Sequence, residues 1–265
     1  MSELSAAFAR ARYEGRLTFI PYVMAGDPDV DTTNAVLSTL TDAGADAIEL
    51  GIPYGDPLAD GPTIAAAAAR ALRNGIRIRD VLALVKRFRN NGGAPVILFT
   101  YFNLVYKYGI ERFAHEAADA GACAAIVPDI ALEEAQDLAV HLAASGLDMP
   151  LLVAPSTPQE RALQIARKST GFIYVVSRLG VTGAGTAPDE IALRQQIAML
   201  RSVTHSPLAL GFGVSNAGHV GFAGPLADGI IVGSALIDAY HGSRGAVAAE
   251  RVRAFIAPLI AAGHR

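Results

Sequence analysis

Leu17-Thr18-Phe19-Ile20-Pro21-Tyr22-Val23-Met24-Ala25-Gly26-Asp27-Pro28 is the stretch on which the fold turns. Its first eight residues form a largely apolar run without polar alternation, the pattern of a strand covered on both faces. The loop after it matters as much. A doubly wound nucleotide-binding sheet carries a glycine fingerprint in its first loop. Ala25-Gly26-Asp27-Pro28 is not that fingerprint.

Working outward, seven more strand-type runs occur at residues 47–51, 96–100, 124–127, 150–153, 172–176, 208–211 and 229–232. Helical spacing fills the intervals at 30–43, 63–74, 78–89, 110–120, 132–144 and 190–203. Gly44, Gly121 and Gly146 close three of these segments, as expected past a helix end. Eight strand–helix units in 265 residues predict an α/β fold of TIM-barrel type. The expectation is one (β/α)₈ barrel domain over residues 1–265, with an extra N-terminal helix and short extra helices in the rim loops. No linker, charge block or low-complexity segment divides the chain. The phrase DAGAD at 42–46 returns as DAGAC at 119–123, and both read as helix-end, glycine, strand-start junctions.

Composition narrows the function. Hydrophobic residues make up 52% and charged ones 18%, which suits strands buried on both faces. The net charge is -3 without basic clusters, which argues against nucleic-acid or membrane-surface partners. A single cysteine, Cys123, excludes an internal disulfide and a multi-cysteine metal site. The first 16 residues read as an amphipathic helix rather than a signal peptide. The apolar stretch 64–72 is alanine-rich and broken by Arg70, too short for a bilayer span of about 20 residues. The expected compartment is cytoplasmic.

In a barrel the chemistry sits just past the C-terminal ends of the strands. The segment from Ile48 to Pro62 is the richest there. Glu49 lies inside an apolar strand, where an acid is costly without a partner or a purpose. It reads either as a salt-bridged glutamate at a strand end or as a proton-transfer group tuned by a low-dielectric site. Asp56 and Asp60 follow in a loop stiffened by Pro53, Pro57 and Pro62. Both are candidate turn caps. The alternative is a rigid loop that presents an acid across from Glu49, so that two carboxylates work on one substrate.

The opposite rim carries glycine clusters after the last three strands: Gly180, Gly183 and Gly185; Gly211 and Gly213; then Gly233 with Ser234. Backbone N–H groups there suit a phosphate. No lysine lies in them. The histidines His115, His141 and His205 are expected to face solvent, and no spacing joins them into a metal site. Tyr106 reads as packing, and Tyr101 is open between packing and a substrate wall.

The segment ELGIPYGDPLADGPTI, residues 49–64, closely resembles the signature of the tryptophan synthase alpha subunit family. The resemblance runs along nearly the whole chain. It includes PYVMAGDP at 21–28, TYFNLVYKYGIERF at 100–113, VPDI at 127–130, APSTP at 154–158, YVVSRLGVTG at 174–183, GFGVS at 211–215 and IVGSA at 231–235.

The resemblance implies a lyase that cleaves indole-3-glycerol phosphate to indole and glyceraldehyde 3-phosphate. The indole would pass to a pyridoxal-phosphate (PLP)-dependent beta subunit in an α2β2 heterotetramer, with no cofactor or metal in this chain. It assigns acid–base catalysis to Glu49 and the indole nitrogen to Asp60. It assigns the phosphate to Gly183, Phe212, Gly213, Gly233 and Ser234. Its indole wall falls on Tyr22, Thr100, Val127, Val153, Tyr174 and Ile231. Loop closure falls on Thr182 and the beta-facing loop on Asp56. The glycine-rich loop 177–188 is expected to be mobile when empty and to bring Thr182 against Asp60 on closure.

The chain departs from the family pattern at Tyr54-Gly55, where Phe-Ser is usual, at Ala65 for Gln and at Leu104 for Pro. Gly55 puts communication with the partner in doubt. Three readings compete with the implied one: another phosphate-binding barrel enzyme, a non-catalytic activator of a PLP enzyme, and a stand-alone lyase that releases free indole.

Overall fold

The computed structural model describes residues 1–176, 190–211 and 213–264. Its eight strands are β1 Thr18–Met24, β2 Ile48–Gly51, β3 Val96–Phe99, β4 Ala122–Ile126, β5 Leu151–Val153, β6 Ile173–Val176, β7 Leu208–Gly211 and β8 Gly229–Val232. The helices of the first half are α1 Glu3–Tyr13, α2 Val30–Asp42, α3 Pro62–Arg73, α4 Ile78–Asn90, α5 Phe102–Tyr108 and α6 Ile110–Asp119. Those of the second half are α7 Ala135–Ala144, α8 Gln159–Lys168, α9 Glu190–Arg201, α10 Ala217–Ala223, α11 Ser234–Tyr240 and α12 Gly245–Ala262.

All the paired strands run parallel, in the order β4-β3-β2-β1-β8-β7-β6-β5. Sequence neighbours β4 and β5 therefore stand at the two ends of the sheet. The chain just before β5 joins them. The Asp148 N–H donates to the Cys123 carbonyl at 3.0 Å, and the Ala125 N–H donates to the Asp148 carbonyl at 3.0 Å. These bonds bring the sheet round into the barrel that the eight runs predict.

Most strand residues are buried on both faces, because helices cover the outside and side chains fill the inside. At the N-terminal end, α1 acts as a plug. Phe8 packs on Phe172 with ring centroids 5.6 Å apart, and a Cβ on Gly229 would stand 3.0 Å from the Phe8 ring. Arg16 holds the buried Asp46 through Nη1 and Nη2 at 2.6 and 2.9 Å, and Asp46 also accepts the Phe19 N–H at 2.9 Å. The two echoed junctions are built alike. Gly44 and Gly121 take φ +97° and +87°, a left-handed turn that favours glycine, between α2 and β2 and between α6 and β4.

Five helices lie outside the segments that periodicity marks. α5, α10 and α11 have seven residues each, too few to repeat an apolar stripe. α8 is mostly polar, and α12 carries Pro258 inside it. Helix α7 begins at Ala135, three residues later than its pattern, because Ala131 to Glu134 form a preceding turn.

Candidate active site

Strand β2 supplies the first acid. Glu49 is 1% exposed, in register with Tyr22 of β1 and Ile97 of β3. Both of its carboxyl oxygens lack a hydrogen-bond partner among the described residues. Burial alone pushes its pKa up to about 8, because the charged form loses its water. At neutral pH Glu49 is therefore mostly protonated. The salt-bridged alternative finds no partner here.

The second acid comes from the loop between β2 and α3. Asp60 is half-buried, and its pKa is pushed up to about 6, chiefly by burial. The nearby Tyr101 phenol works against that rise. Tyr101 sits just past β3 and is 2% exposed, and the Ala59 N–H donates to its hydroxyl at 3.2 Å. Its ring stacks on Tyr54 at 5.0 Å. Asp56, in contrast, is exposed at the loop surface.

Two tyrosines tie the acids into one site. Tyr22 and Tyr174 are both near enough to feel the charges of Glu49 and Asp60, and burial with those charges holds both phenols protonated. Each ring occupies space left by a glycine on a neighbouring strand. A Cβ on Gly51 would stand 2.1 Å from the Tyr22 hydroxyl, and one on Gly211 would stand 2.5 Å from the Tyr174 ring. Tyr22 also meets Phe99 edge-on at 5.7 Å.

The other expected wall residues sit at strand ends. Thr100 follows β3 with its hydroxyl buried and without a hydrogen-bond partner among the described residues, and Val127 follows β4. Val153 is wholly buried at the end of β5, in register with Val175, whereas Leu152 is in register with Tyr174. Ile231 of β8 is in register with Gly211 and Ile20. Gly233 lies over Tyr22: its Cβ would be 3.6 Å from that of Tyr22 and 3.7 Å from Ile64 Cδ1. Ser234 begins α11, and Gly213 takes φ +79° in open space past β7. Thr182, Gly183, Phe212 and the whole of loop 177–188 lie outside the described residues.

Two aromatic expectations change. Tyr101, left open by pattern, is buried against the Asp60 loop. Tyr106, expected to pack, is 68% exposed on α5 with its ring tilted against Phe102. Tyr101 carries a sequence signal, a position just past the C-terminal end of a barrel strand, but only the loop's path reveals its partner. Among the described residues, no group of three or more His, Cys, Asp or Glu side chains is placed to hold a metal ion. Among them, no helix is long and apolar enough to cross a membrane.

A family model described as tryptophan synthase alpha chain matches residues 8–260. The chain belongs to the tryptophan synthase alpha chain family. A curated tryptophan synthase alpha chain of Prochlorococcus marinus (strain MIT 9313) is 48% identical over 235 residues, covering 88% of this chain and 85% of its own. One of Geobacter sp. (strain M21) is 41% identical over 260 residues, covering 98% and 97%. The solved Mycobacterium tuberculosis tryptophan synthase in space group F222 is similar with a TM-score of 0.91 and 37% identity, over 100% of this chain and 99% of that one. As a member of that family, the protein is a carbon–carbon lyase of tryptophan biosynthesis. It cleaves indole-3-glycerol phosphate to indole and glyceraldehyde 3-phosphate.

Proposed function

We propose that Glu49 and Asp60 share this cleavage as acid–base catalyst and cation stabiliser. The observation that carries the reading is that Glu49 and Asp60 both act on the same two tyrosines, Tyr22 and Tyr174, while burial pushes Glu49 up to about 8 and Asp60 only to about 6. Environments that drive two acids apart assign their roles. Glu49, protonated, gives its proton to indole C3. The ring becomes a cation whose N–H faces the carboxylate of Asp60, an interaction strongest in the transition state. The Glu49 carboxylate then takes the proton of the hydroxyl on the adjacent side-chain carbon. That oxygen forms the aldehyde, the C–C bond breaks, and its electron pair returns to the ring as neutral indole. The proton count balances, and Glu49 ends as it began.

Tyr22, Thr100, Val127, Val153, Tyr174 and Ile231 form the indole wall in this reading. Gly213, Gly233 and Ser234 hold the phosphate, with Gly183 and Phe212 from the segments outside the described residues. Thr182 closes onto Asp60 in the same scheme. The family name supports a partner: an alpha chain works beside a PLP-dependent beta subunit, in an α2β2 assembly docked over the Asp56 loop and in the cytoplasm. A lyase that releases indole without that subunit is the competing reading.

Glu49→Gln tests the core of the proposal. The amide keeps the shape and cannot transfer the proton, so cleavage falls by about 10²–10⁴-fold while substrate still binds. Turnover above roughly a tenth of wild type rejects the role. Adding the beta subunit separates the two assemblies: a rise of at least about tenfold in cleavage supports the partnered enzyme, and no change supports the stand-alone lyase.

A further inference from the structure

Beyond the two acids, the loop between β2 and α3 carries ties with no part in the scheme above. Tyr54 lies near the start of this loop and Asp60 near its end. Both ends are fastened to the segment that follows β3. At the first, Asn103 Nδ2 donates to the Tyr54 hydroxyl at 3.1 Å. The Tyr54 ring also stacks on Tyr101 at 5.0 Å with the planes 29° apart. At the second, the N–H of Ala59, one residue before Asp60, donates to the Tyr101 hydroxyl at 3.2 Å. The platform is itself fixed: Tyr101 is buried, and the Phe102 N–H at the start of α5 donates to Asp129 at 2.8 Å. Between the two fastenings the chain is open. Leu58 is 80% exposed. Among the described residues, a Cβ on Gly55 would meet only Leu72 Cδ1, at 3.9 Å. Gly55 takes no left-handed φ, so neither space nor backbone geometry requires a glycine there. Its effect is to loosen the backbone beside Tyr54.

We infer that Tyr54 is a positioning residue: with Asn103 it forms a clasp that holds the Asp60 loop on the β3–α5 segment without help from a partner chain. The inference rests on the role proposed above for Asp60. A group on a loop is placed only as well as the loop is, and a small misplacement costs rate. The clasp offsets the freedom that Gly55 gives the backbone. The Tyr54 hydroxyl can be tested apart from its ring. Phenylalanine keeps the stack on Tyr101 and loses only the bond to Asn103, so Tyr54→Phe isolates the clasp. Gly55→Ala acts in the opposite sense: at a position whose conformation alanine can adopt, the change lowers the freedom of the open loop. The two changes therefore compensate, although the Gly55 position makes no contact with Asn103.

The test combines hydrogen exchange of the loop amides from Tyr54 to Gly61 with steady-state cleavage of indole-3-glycerol phosphate, both on the full chain. Wild type is compared with Tyr54→Phe, Asn103→Ala, their double variant, and Tyr54→Phe/Gly55→Ala. One hydrogen bond is worth about two- to tenfold in an opening equilibrium. Tyr54→Phe should speed exchange of the Ala59 amide by that factor and lower kcat to a similar extent. KM should stay as it is, because the proposed phosphate contacts lie on other loops. Asn103→Ala should match it, and the double variant should be no worse than either single one, since both remove the same bond. Adding Gly55→Ala to Tyr54→Phe should restore about half of the lost protection and rate. A merely structural tyrosine would give neither the kcat-only loss nor the rescue. Unchanged exchange in both single variants overturns the clasp, and additive losses overturn the pairing of Tyr54 with Asn103. Faster exchange with kcat unchanged overturns the positioning role. Asp60→Asn is assayed alongside. If it still cleaves, the role of Asp60 falls, and the exchange rates alone decide whether the clasp exists.

Discussion

The Tyr22 ring fills the space that Gly51 leaves open: a Cβ on Gly51 would stand 2.1 Å from the Tyr22 hydroxyl and 2.8 Å from Cζ. No real Cβ tolerates that approach, so the ring must move if the glycine is replaced. Tyr22 is 4% exposed and has little room to do so. Gly51→Ala should cost about 1–3 kcal/mol of stability, the range for an overpacked core. Cleavage should fall by at least about tenfold, because the ring swings into the space beside Glu49. Tyr22→Leu in the Gly51→Ala background removes the colliding atoms. Denaturant unfolding of the two single variants and the pair should show a favourable coupling of about 1 kcal/mol or more. Simple additivity would mean that the two residues do not compete for one space.

Glu49 makes stability depend on pH in a particular direction. Its pKa is raised from the ordinary carboxyl value to about 8 in the folded chain. The folded state thus holds a proton that the unfolded state has released. The stability from that proton is complete below the ordinary carboxyl range and is lost as pH rises through about 8. Glu49→Gln cannot ionise and escapes this loss. The variant should be more stable than wild type by at least about 1 kcal/mol at pH 8.5 relative to the difference at pH 5.5. Urea titrations at the two pH values measure it. A gap that does not widen toward alkaline pH would show that Glu49 is not desolvated.

The strands and their order were legible because burial on both faces leaves an unbroken apolar run, as in Val96 to Phe99. Glu49 stood out for the converse reason, a lone acid in such a run. Helix α12 lies outside the segments that spacing marks: it opens on Gly245 and carries Pro258 inside, yet packing on α2 and α11 holds it. Tyr101 was left undecided because its meaning lies in the Ala59 N–H, a backbone group whose position depends on how the proline-rich loop folds back. Tyr106 was misjudged for a similar reason. A seven-residue helix gives no second turn from which to tell its inner face from its outer one.

The phosphate site invites a charge test. Ser234 opens α11 directly after Gly233, which itself lies over Tyr22. A carboxylate at Ser234 would stand where the substrate's anion is expected, and like charges at a few ångströms repel. Ser234→Asp should weaken glycerol phosphate binding by about tenfold or more, an effect that eases at high salt. Calorimetric titration at two ionic strengths checks both parts. An unchanged dissociation constant in a folded variant would remove Ser234 from the site.

Asp27 and Arg70 link the loop after β1 to α3, the helix entered from the Asp60 loop. Arg70 Nε and Nη2 meet the two Asp27 oxygens at 2.7 and 2.8 Å, a paired geometry that lysine cannot copy. Asp27 is 2% exposed, whereas the Arg70 side chain is 23% exposed. Breaking the pair from the arginine side leaves a buried charge without its counterion. Arg70→Met should therefore cost about 3 kcal/mol, at the low end for a buried pair because Arg70 still touches water. Asp27→Asn removes the stranded charge, so the double variant should recover part of the loss rather than add to it. Chemical denaturation of the four proteins at neutral pH gives the cycle. The same set assayed for cleavage separates scaffold from site: if α3 holds the Asp60 loop in place, Arg70→Met lowers kcat/KM more than the double variant does. Equal activities would confine the pair to stability alone.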